Sequence, residues 1–274
     1  AQQVGHGALH RGAPQFRDQN LVAELNPAAP VVLGIERSLS GRRWVWRAGE
    51  DRVALGIAQR LELPEIIGRV LAVRMGEPVA VYGDYDVDGA CGAALVASLL
   101  RDLGCAVETY VPQRLAEGYG PNGPALLGLV GRGARLIVCV DCGTAAAGAL
   151  AAVAGRADVV VLDHHKSEGP MAPILATVNP NRPDDASGLG MLCATGVAFL
   201  AAVATLRTLR RAGHFATRPE PDLKALLDLV ALATVCDVMP LVGVNRALVR
   251  QGLRVMAGRR RPGLAALLDL AQNQ

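Results

Sequence analysis

From Pro78 onward, short apolar runs alternate with longer segments rich in alanine and leucine. Four runs of β-branched and apolar residues predict strands, at residues 78–83, 106–111, 135–141 and 158–163. The segments between them, at residues 90–104, 122–131 and 144–155, have the length and composition of helices. Continuous apolar strands that alternate with helices are typical of parallel sheets buried on both faces. The pattern therefore predicts a doubly wound, mainly parallel α/β sheet with helices on both faces.

The alternation of strands and helices is absent from the segments before and after this region. The segment NPNRPDDASG, at residues 179–188, predicts a loop. Four helical segments follow, at residues 191–211, 222–235, 244–256 and 263–271, and they predict a helical C-terminal part. Residues 1–75 have scattered glycine, proline and arginine, with a helical pattern only near residues 51–60. We expect residues 1–75 to form an N-terminal segment that packs on the core.

Composition narrows the class of protein. Of the 274 residues, 51% are hydrophobic and 19% are charged, which excludes a disordered, collagen-like or coiled-coil protein. The longest uncharged apolar run, residues 194–206, is too short to span a bilayer and predicts a buried helix. The first residues include neither a methionine nor a signal-peptide core, so we expect a trimmed or processed chain that is not exported. Six cysteines in apolar segments indicate reduced thiols in the core and predict a cytoplasmic location with no membrane attachment.

The basic residues are unevenly distributed. The formal net charge is only +3, but residues 201–262 contain eleven lysines and arginines against four acidic residues. Such a surplus can bind phosphate groups, or it can be the ordinary solvated surface of helices. The charge count alone leaves both interpretations open.

Acidic residues follow three of the predicted strands. Asp84, Asp86 and Asp88 come after the first strand, Asp141 after the third, and the segment Asp163-His164-His165 after the fourth. Ligands of open α/β sheets bind beyond the carboxyl ends of the strands, so these side chains should converge. Converging carboxylates must be neutralised by protons or by cations, and oxygen ligands with an imidazole favour Mn²⁺ or Mg²⁺. If the extended backbone continues past Gly83, the three aspartates of the first segment point the same way and could bridge two ions.

Each piece taken singly has a plainer interpretation. The segment DYDVDG resembles the start of a calcium loop, but Leu95 stands at the twelfth position, where such a loop carries glutamate. Asp141 alone could cap a helix. Cys139 and Cys142 form a CxxC pair, but Cys139 belongs to an apolar strand, which favours a structural role over a redox role.

Four segments together carry a specific resemblance. VYGDYDVDG (81–89), VCVDCG (138–143), LDHHK (162–166) and DLVALATVCDVMPL followed by NR (228–246) resemble the four acidic motifs of the DHH phosphoesterase superfamily. Within it, the chain is similar to the RecJ family of bacterial single-strand-specific 5′→3′ exonucleases. The resemblance runs from about Pro78 to the C-terminus and includes VPQRLAEGYGPN (111–122) and the NPN at 179–181.

The resemblance implies a site with two Mn²⁺ or Mg²⁺ ions. It implies that Asp141 bridges the ions, that His165 contacts the scissile phosphate or acts as general acid, and that Asp163 orients the histidines. Lys166 and Arg114 become candidates for binding backbone phosphates. The other implied ligands are Asp86, Asp88, His164 and Asp237, with Asp84 as a further candidate, and the other implied substrate contacts are Gly118, Tyr119 and Gly120.

The resemblance also implies a function, namely 5′→3′ hydrolysis of single-stranded DNA in DNA repair and recombination. A helicase or a single-strand-binding protein is an expected partner. Two alternatives stay open: a phosphodiesterase for dinucleotides or short oligonucleotides, and a non-catalytic nucleic-acid-binding relative. We expect residues 76–257 to form the catalytic domain and residues 258–274 to begin a connecting helix toward a C-terminal domain that this chain lacks.

The chain departs from the family pattern near the site. Cys91 and Gly92 stand where the family usually has Thr-Ser, Cys142 stands where asparagine is often found, and Thr195 stands where glycine is usual. Two hydroxyl groups are thereby removed from the start of the first predicted helix. We expect weaker contacts to phosphate or metal-bound water there, and a different floor to the site.

Overall fold

A parallel sheet of five strands forms the centre of the described part of the chain, residues 77–167, 169 and 171–272 of a computed structural model. The N-terminal segment expected at residues 1–75 lies outside the described residues. The order across the sheet is β2-β1-β3-β4-β5, and every neighbouring pair is parallel. The strands are β1 (Pro78–Gly83), β2 (Ala106–Tyr110), β3 (Leu136–Val140), β4 (Asp158–Leu162) and β5 (Ala176–Val178). The predicted doubly wound α/β fold is confirmed.

Helices cover both faces of this sheet. One hydrophobic core lies between the sheet and α1, α5 and α6, and the other lies between the sheet and α3 and α4. Alternate residues of one strand enter the two cores: Val79 and Val81 of β1 face the first, and Ala80 and Tyr82 face the second. The helices are α1 (Val87–Asp102), α2 (Arg114–Glu117), α3 (Gly123–Gly131), α4 (Ala147–Ala151), α5 (Ala194–Arg211), α6 (Leu227–Cys236), α7 (Gly243–Ala257) and α8 (Pro262–Gln272).

Several predicted boundaries shift. The helix predicted at residues 144–155 is regular only over Ala147–Ala151, and the one predicted at 222–235 begins as a 3₁₀ turn, Leu223–Leu226, before α6. The first predicted helix begins three residues early, at Val87, which changes the geometry of the acidic segment before it.

The strand order creates a crevice between β1 and β3. The chain moves from β1 outward to β2 and then returns to the other side of β1 to form β3. At such a switch point the connections leave in opposite directions, and the carboxyl ends of the two strands border an open crevice. The amide of Asp84 donates to the carbonyl of Val140 at this point, with N and O 3.2 Å apart, so the residues after β1 and β3 are held side by side.

The helical C-terminal part packs closely on this core. Helix α7 lies against α6 at Gly252, where an added Cβ would come within 2.1 Å of the carbonyl oxygen of Leu227. Arg261, at the start of the last helical segment, forms a bidentate pair with the buried carboxylate of Asp228 on α6. None of the helices in the described residues has both the length and the apolar character needed to cross a bilayer.

Candidate metal centre

The first acidic segment leaves the strand at once and becomes the start of a helix. Strand β1 ends at Gly83, Asp86 is the N-cap of α1, and its side chain accepts from the amide of Gly89. Asp88 lies in the first helical turn. The expectation that Asp84, Asp86 and Asp88 point the same way along an extended strand is therefore wrong, because the capping aspartate turns the chain into helical geometry.

Glycine at position 89 allows this tight turn. A Cβ at Gly89 would lie 2.5 Å from the carbonyl oxygen of Asp84 and 2.6 Å from its nitrogen. Only a residue without a side chain lets the first turn of α1 approach the backbone after β1 so closely.

The carboxylate of Asp88 is buried and bound to the beginning of another helix. Its oxygens accept from the amides of Ala194 and Thr195, at 2.6 and 2.9 Å. These amides open α5, where the N-terminal donors and the helix dipole favour a negative charge. Each carboxylate oxygen can accept a second interaction, so Asp88 retains capacity for a cation.

Asp141 follows β3, and its surroundings disfavour a negative charge. Its side chain is 1% exposed, and neither carboxylate oxygen has a hydrogen-bond partner. Burial, together with the nearby charges of Asp88 and Asp86, raises the pKa of Asp141 to about 10. Its φ of 63° is left-handed, a conformation that aspartate tolerates better than most residues. A buried carboxylate without donors requires either a proton or a cation.

His164 lies between three of the predicted carboxylate ligands. Its Nε2 is 3.4 Å from Asp141 Oδ1, 3.6 Å from Asp237 Oδ2 and 3.8 Å from Asp88 Oδ2. Asp237 caps the C-terminal end of α6, and its Oδ2 is another buried oxygen without a partner. Burial also raises the pKa of Asp237.

All six residues predicted as metal ligands therefore lie in one place. Their donor atoms, together with that of His165, form three groups, each with its atoms within 4.8 Å of one another: Asp84–Asp86–Asp141, Asp141–His164–His165 and Asp88–His164–Asp237. Asp141 belongs to two groups, and its two carboxylate oxygens can bridge neighbouring ions. His164 also belongs to two groups, but its Nε2 can bind only one ion. Carboxylate oxygens, an imidazole and the unpartnered buried oxygens of Asp84, Asp141 and Asp237 together fit two hard divalent cations.

His165 points to the same centre but is bound to a different carboxylate. Its Nδ1 lies 2.8 Å from Asp163 Oδ1, and about half of its side chain is exposed. Burial raises the pKa of Asp163, but donors from His165 and Thr144 outweigh it and bring the pKa to about 2. The ionised Asp163 in turn raises the pKa of His165 by hydrogen bonding. Asp163 also accepts from the backbone amides of His164 and His165, so it contacts the ring of His165 but only the backbone of His164. The role of Asp163 in orienting the pair stays a prediction.

The two asparagines of the NPN segment, which were not predicted as site residues, hold the backbone of the histidine segment. Asn179, which is buried, donates to the carbonyl of His165 at 2.8 Å and to the hydroxyl of Thr144 at 3.0 Å. Asn181 donates to the carbonyl of His164 at 2.6 Å. Both follow β5, so this short strand places the NPN segment beneath the histidines. In the sequence, the only signal was the NPN itself.

The predicted substrate contacts form one edge of the site. The Tyr119 hydroxyl donates to the carbonyl of Asp141 at 3.3 Å and lies 3.2 Å from His165 Nδ1, while 57% of the residue stays exposed. The Arg114 guanidinium lies 5.3 Å from the ring centre of Tyr85, which contacts Tyr119 edge-on. Lys166 is exposed immediately after His165. Gly118 and Gly120 flank Tyr119 with φ values of 78° and 77°, so they provide the turns that present this ring.

The cysteines behave as structural residues with one exception. Cys139 and Cys142 are buried, and burial raises the pKa of both thiols, to about 12 for Cys139. Raised thiol pKa values disfavour the reactive thiolate, which supports the structural interpretation of this CxxC pair. Cys236 is exposed, so the expectation of a core thiol is wrong for that residue, which ends α6 beside Asp237.

A family model described as the DHH family, N-terminal domain, matches residues 78–234, which contain β1 to β5 and most of the acidic segments. The chain belongs to the DHH family. The family membership predicted from the four motifs is thereby confirmed, and the centre described above lies where the DHH segment, Asp163-His164-His165, meets the other strand ends.

Two curated proteins similar to this DHH-family chain bear the same name. The single-stranded-DNA-specific exonuclease RecJ of Dickeya dadantii is 40% identical over 242 residues, covering 86% of this chain and 40% of that protein. RecJ of Escherichia coli K12 is 42% identical over 205 residues, covering 73% of this chain and 36% of that protein. The chain thus spans less than half the length of these curated relatives.

Solved structures give the same family with a metal. A crystal structure of exonuclease RecJ bound to manganese matches with a TM-score of 0.66 and 32% identity, over 77% of this chain and 52% of that one. RecJ of Thermus thermophilus in complex with Mn²⁺ matches with a TM-score of 0.60 and 31% identity, over 77% of this chain and 29% of that one.

Proposed function

We propose that this chain hydrolyses phosphodiester bonds of single-stranded DNA from the 5′ end, with two Mn²⁺ or Mg²⁺ ions as cofactor. The observation that carries the proposal is Asp141, a buried carboxylate with no donor for either oxygen that belongs to two ligand groups at once. The names of the relatives, single-stranded-DNA-specific exonuclease, supply the substrate class. Residues 76–257 are the catalytic domain in this proposal, with the start of a connecting helix in residues 258–274.

The metal ligands in this proposal are Asp86, Asp88, Asp141, His164 and Asp237, with Asp84 beside them. When bound, two such ions supply an activated water and stabilise negative charge on the phosphate oxygens. The protein's part is to hold the ligands in place before the ions arrive. It does so through the N-cap at Asp86, the two amides on Asp88 and the left-handed backbone at Asp141.

His165 has the geometry of a proton donor. Asp163 binds Nδ1 and fixes the ring. Nε2, which lies 3.3 Å from the Tyr119 hydroxyl, is then the nitrogen that can carry a proton to the leaving oxygen. The raised pKa of His165 favours the protonated form that such a role needs. Tyr119 and Arg114 line the same edge and bind the strand beside the scissile phosphate, with Lys166 as a further phosphate contact.

Several finer predictions belong to the same proposal. They are the role in DNA repair and recombination, a cytoplasmic location, and a helicase or single-strand-binding protein as the source of the strand. No observation on the described residues bears on these three, and they follow from the proposed activity alone.

The test is hydrolysis with and without Mn²⁺, on single strands labelled at the 5′ or the 3′ end and on the matching duplex. We expect manganese-dependent release of labelled mononucleotide from the 5′-labelled strand, slow release from the 3′-labelled strand, and little from the duplex. The Asp141→Asn variant should lose activity, whereas Asp102→Asn, an exposed carboxylate at the end of α1, should keep it. Cleavage of a two-nucleotide substrate without cleavage of long strands would favour the short-oligonucleotide alternative, and no metal-dependent cleavage at all would refute both.

A further inference from the structure

Helix α7 carries an unusual charge pattern for a surface helix. Its fifteen residues, Gly243–Ala257, include three arginines and no acidic residue. The arginines, Arg246, Arg250 and Arg254, are spaced by four and are all exposed. Residues at this spacing share one side of a helix, and each step of four advances about 6 Å along the axis. We call these three residues the arginine stripe.

The stripe has no acidic partner among the residues that the structure describes. Arg246 and Arg250 form no side-chain hydrogen bond or ion pair there, and Arg254 contacts only the neutral amide of Gln251, at 3.4 Å. Other arginines of the same part of the chain are paired: Arg210 with Glu220, Arg259 with Asp269 and Arg261 with Asp228. The stripe is therefore a run of uncompensated positive charge.

The positive surface continues past the end of the stripe. Arg254 also lines a surface groove of about 430 Å³ to which Lys224 and Arg260 contribute. Asp228 is paired with Arg261, whereas Asp222 accepts only from a backbone amide and keeps its negative charge. Lys224, Arg254 and Arg260 still outnumber this one carboxylate in the groove. The groove adds cationic side chains to the stripe without neutralising it.

The N-terminal end of α7 is fixed near the metal centre. Asn245, which precedes the first arginine of the stripe, is buried and donates to the carbonyl of Met191 at 2.6 Å. Three residues after Met191, the amide of Ala194 binds Asp88. The stripe thus starts close in the fold to a proposed metal ligand and runs away from it along the helix.

We propose that the arginine stripe and the groove bind the sugar-phosphate backbone of the single strand, beyond the nucleotides at the metal centre. The inference rests on the proposed function for its substrate class. A row of unpaired guanidinium groups, with a step comparable to the distance between successive phosphates of an extended strand, fits a flexible polyanion without reading its sequence. Part of the surplus of basic residues in the segment 201–262 thus lies on α7 and in the groove next to it.

The test compares the unchanged chain with the triple variant Arg246→Gln, Arg250→Gln, Arg254→Gln. Binding of a fluorescent twenty-nucleotide oligothymidine is followed by anisotropy in EDTA, which prevents hydrolysis, over a series of salt concentrations. Each phosphate contact to a single strand contributes about 0.7 to the slope of log affinity against log salt, so the triple variant should lose about 2 from the slope. The affinity of the unchanged chain divided by that of the triple variant should then fall by roughly 20-fold between 50 and 200 mM salt.

The matched control is Arg207→Gln, another exposed arginine within a helix, on α5. We expect its slope to equal that of the unchanged chain. Equal slopes for the triple variant and the unchanged chain would overturn the proposal and make an acidic protein surface the remaining partner for the stripe. Hydrolysis of a 5′-labelled single strand in Mn²⁺ by the unchanged chain is measured separately, because its absence would refute the proposed function while the binding data still decide on the stripe.

Discussion

Replacing Asp141 by Asn should stabilise the metal-free chain while it removes the activity. The carboxylate is buried, lacks donors and lies beside Asp88 and Asp86, so folding without a cation forces a proton onto it or leaves a charge uncompensated. Asparagine keeps the shape, removes the charge and tolerates the left-handed φ of 63°, which alanine would not do as well.

The size of the gain follows from the raised pKa. At pH 7 the medium lies about three pH units above the ordinary pKa of 3.8, and each unit is worth about 1.4 kcal/mol. Burying Asp141 in its protonated form therefore lowers the free energy of unfolding at neutral pH by at most about 4 kcal/mol. The unpaired amide of asparagine offsets part of this, and we expect a gain of about 2–4 kcal/mol, or roughly 5–15 °C in Tm. Because the folded-state pKa is raised, the penalty is absent below the unfolded value and grows with pH up to the folded value. The gain should therefore be small at pH 5 and larger at pH 8.

The assay is thermal unfolding in EDTA and in Mn²⁺ at both pH values. Mn²⁺ should raise the Tm of the unchanged chain, because one bound ion at one hundred times its Kd adds about 2.7 kcal/mol to the free energy of unfolding. The rise should be much smaller for Asp141→Asn. Asp102→Asn serves as the control and should behave like the unchanged chain in every condition. A variant that is less stable than the unchanged chain in EDTA at pH 8, or that gains as much from Mn²⁺, would refute the reasoning.

Three further changes test separate parts of the structure. His165→Ala should lower the rate of hydrolysis by about 10²–10⁴-fold while Mn²⁺ still raises the Tm; loss of that rise would make His165 a ligand. Asn179→Ala removes two buried donated hydrogen bonds and should cost about 1–3 kcal/mol in urea unfolding together with a lower turnover; unchanged stability would argue against its hold on the histidine segment. Gly252→Ala places a Cβ 2.1 Å from the carbonyl oxygen of Leu227 and should lower the free energy of unfolding by about 1–3 kcal/mol or more. Gly263→Ala is the control, because a Cβ there meets open space, and it should not destabilise the chain. Equal effects of the two substitutions would contradict the close contact between α6 and α7.

Most of the sheet could be predicted because its strands are continuous apolar runs. Strands β1, β3 and β4 are buried on both faces, so nearly every position had to be apolar and the pattern was unmistakable. Strand β5 is only three residues long, Ala176–Val178, and such a segment cannot show a period. Because β5 was not predicted, the position of Asn179 and Asn181 under the histidines was not predicted either.

The convergence of the acidic residues was predictable from topology, but their individual roles were not. Residues that follow parallel strands must meet at one edge of the sheet, and the structure brings all six predicted ligands together there. The wrong step was to extend the strand through Asp88. Asp86 is also a good helix cap, and capping by Asp86 decided where Asp88 would point. Whether the chain after Gly83 continues as a strand or begins a helix depends on a capping interaction of about 1 kcal/mol, and a single cap produces no periodic pattern in the sequence.

Two of the departures from the family pattern near the site, Gly92 and Thr195, are in contact in the structure. Gly92 on α1 faces Thr195 on α5, and a Cβ at position 92 would lie 3.2 Å from the Thr195 hydroxyl oxygen and 2.5 Å from a methyl of Val140, the last residue before Asp141. The Thr195 hydroxyl donates to the carbonyl of Asp88 at 2.9 Å. Glycine at position 92 is therefore required by Val140, and it also leaves room for the Thr195 side chain. That side chain places one hydroxyl group of α5 on the backbone of Asp88, a proposed ligand, where the start of α1 has lost two. The contact supports Asp88 from the second helix, and the expectation of weaker contacts to phosphate or metal-bound water at the start of α1 stays a prediction.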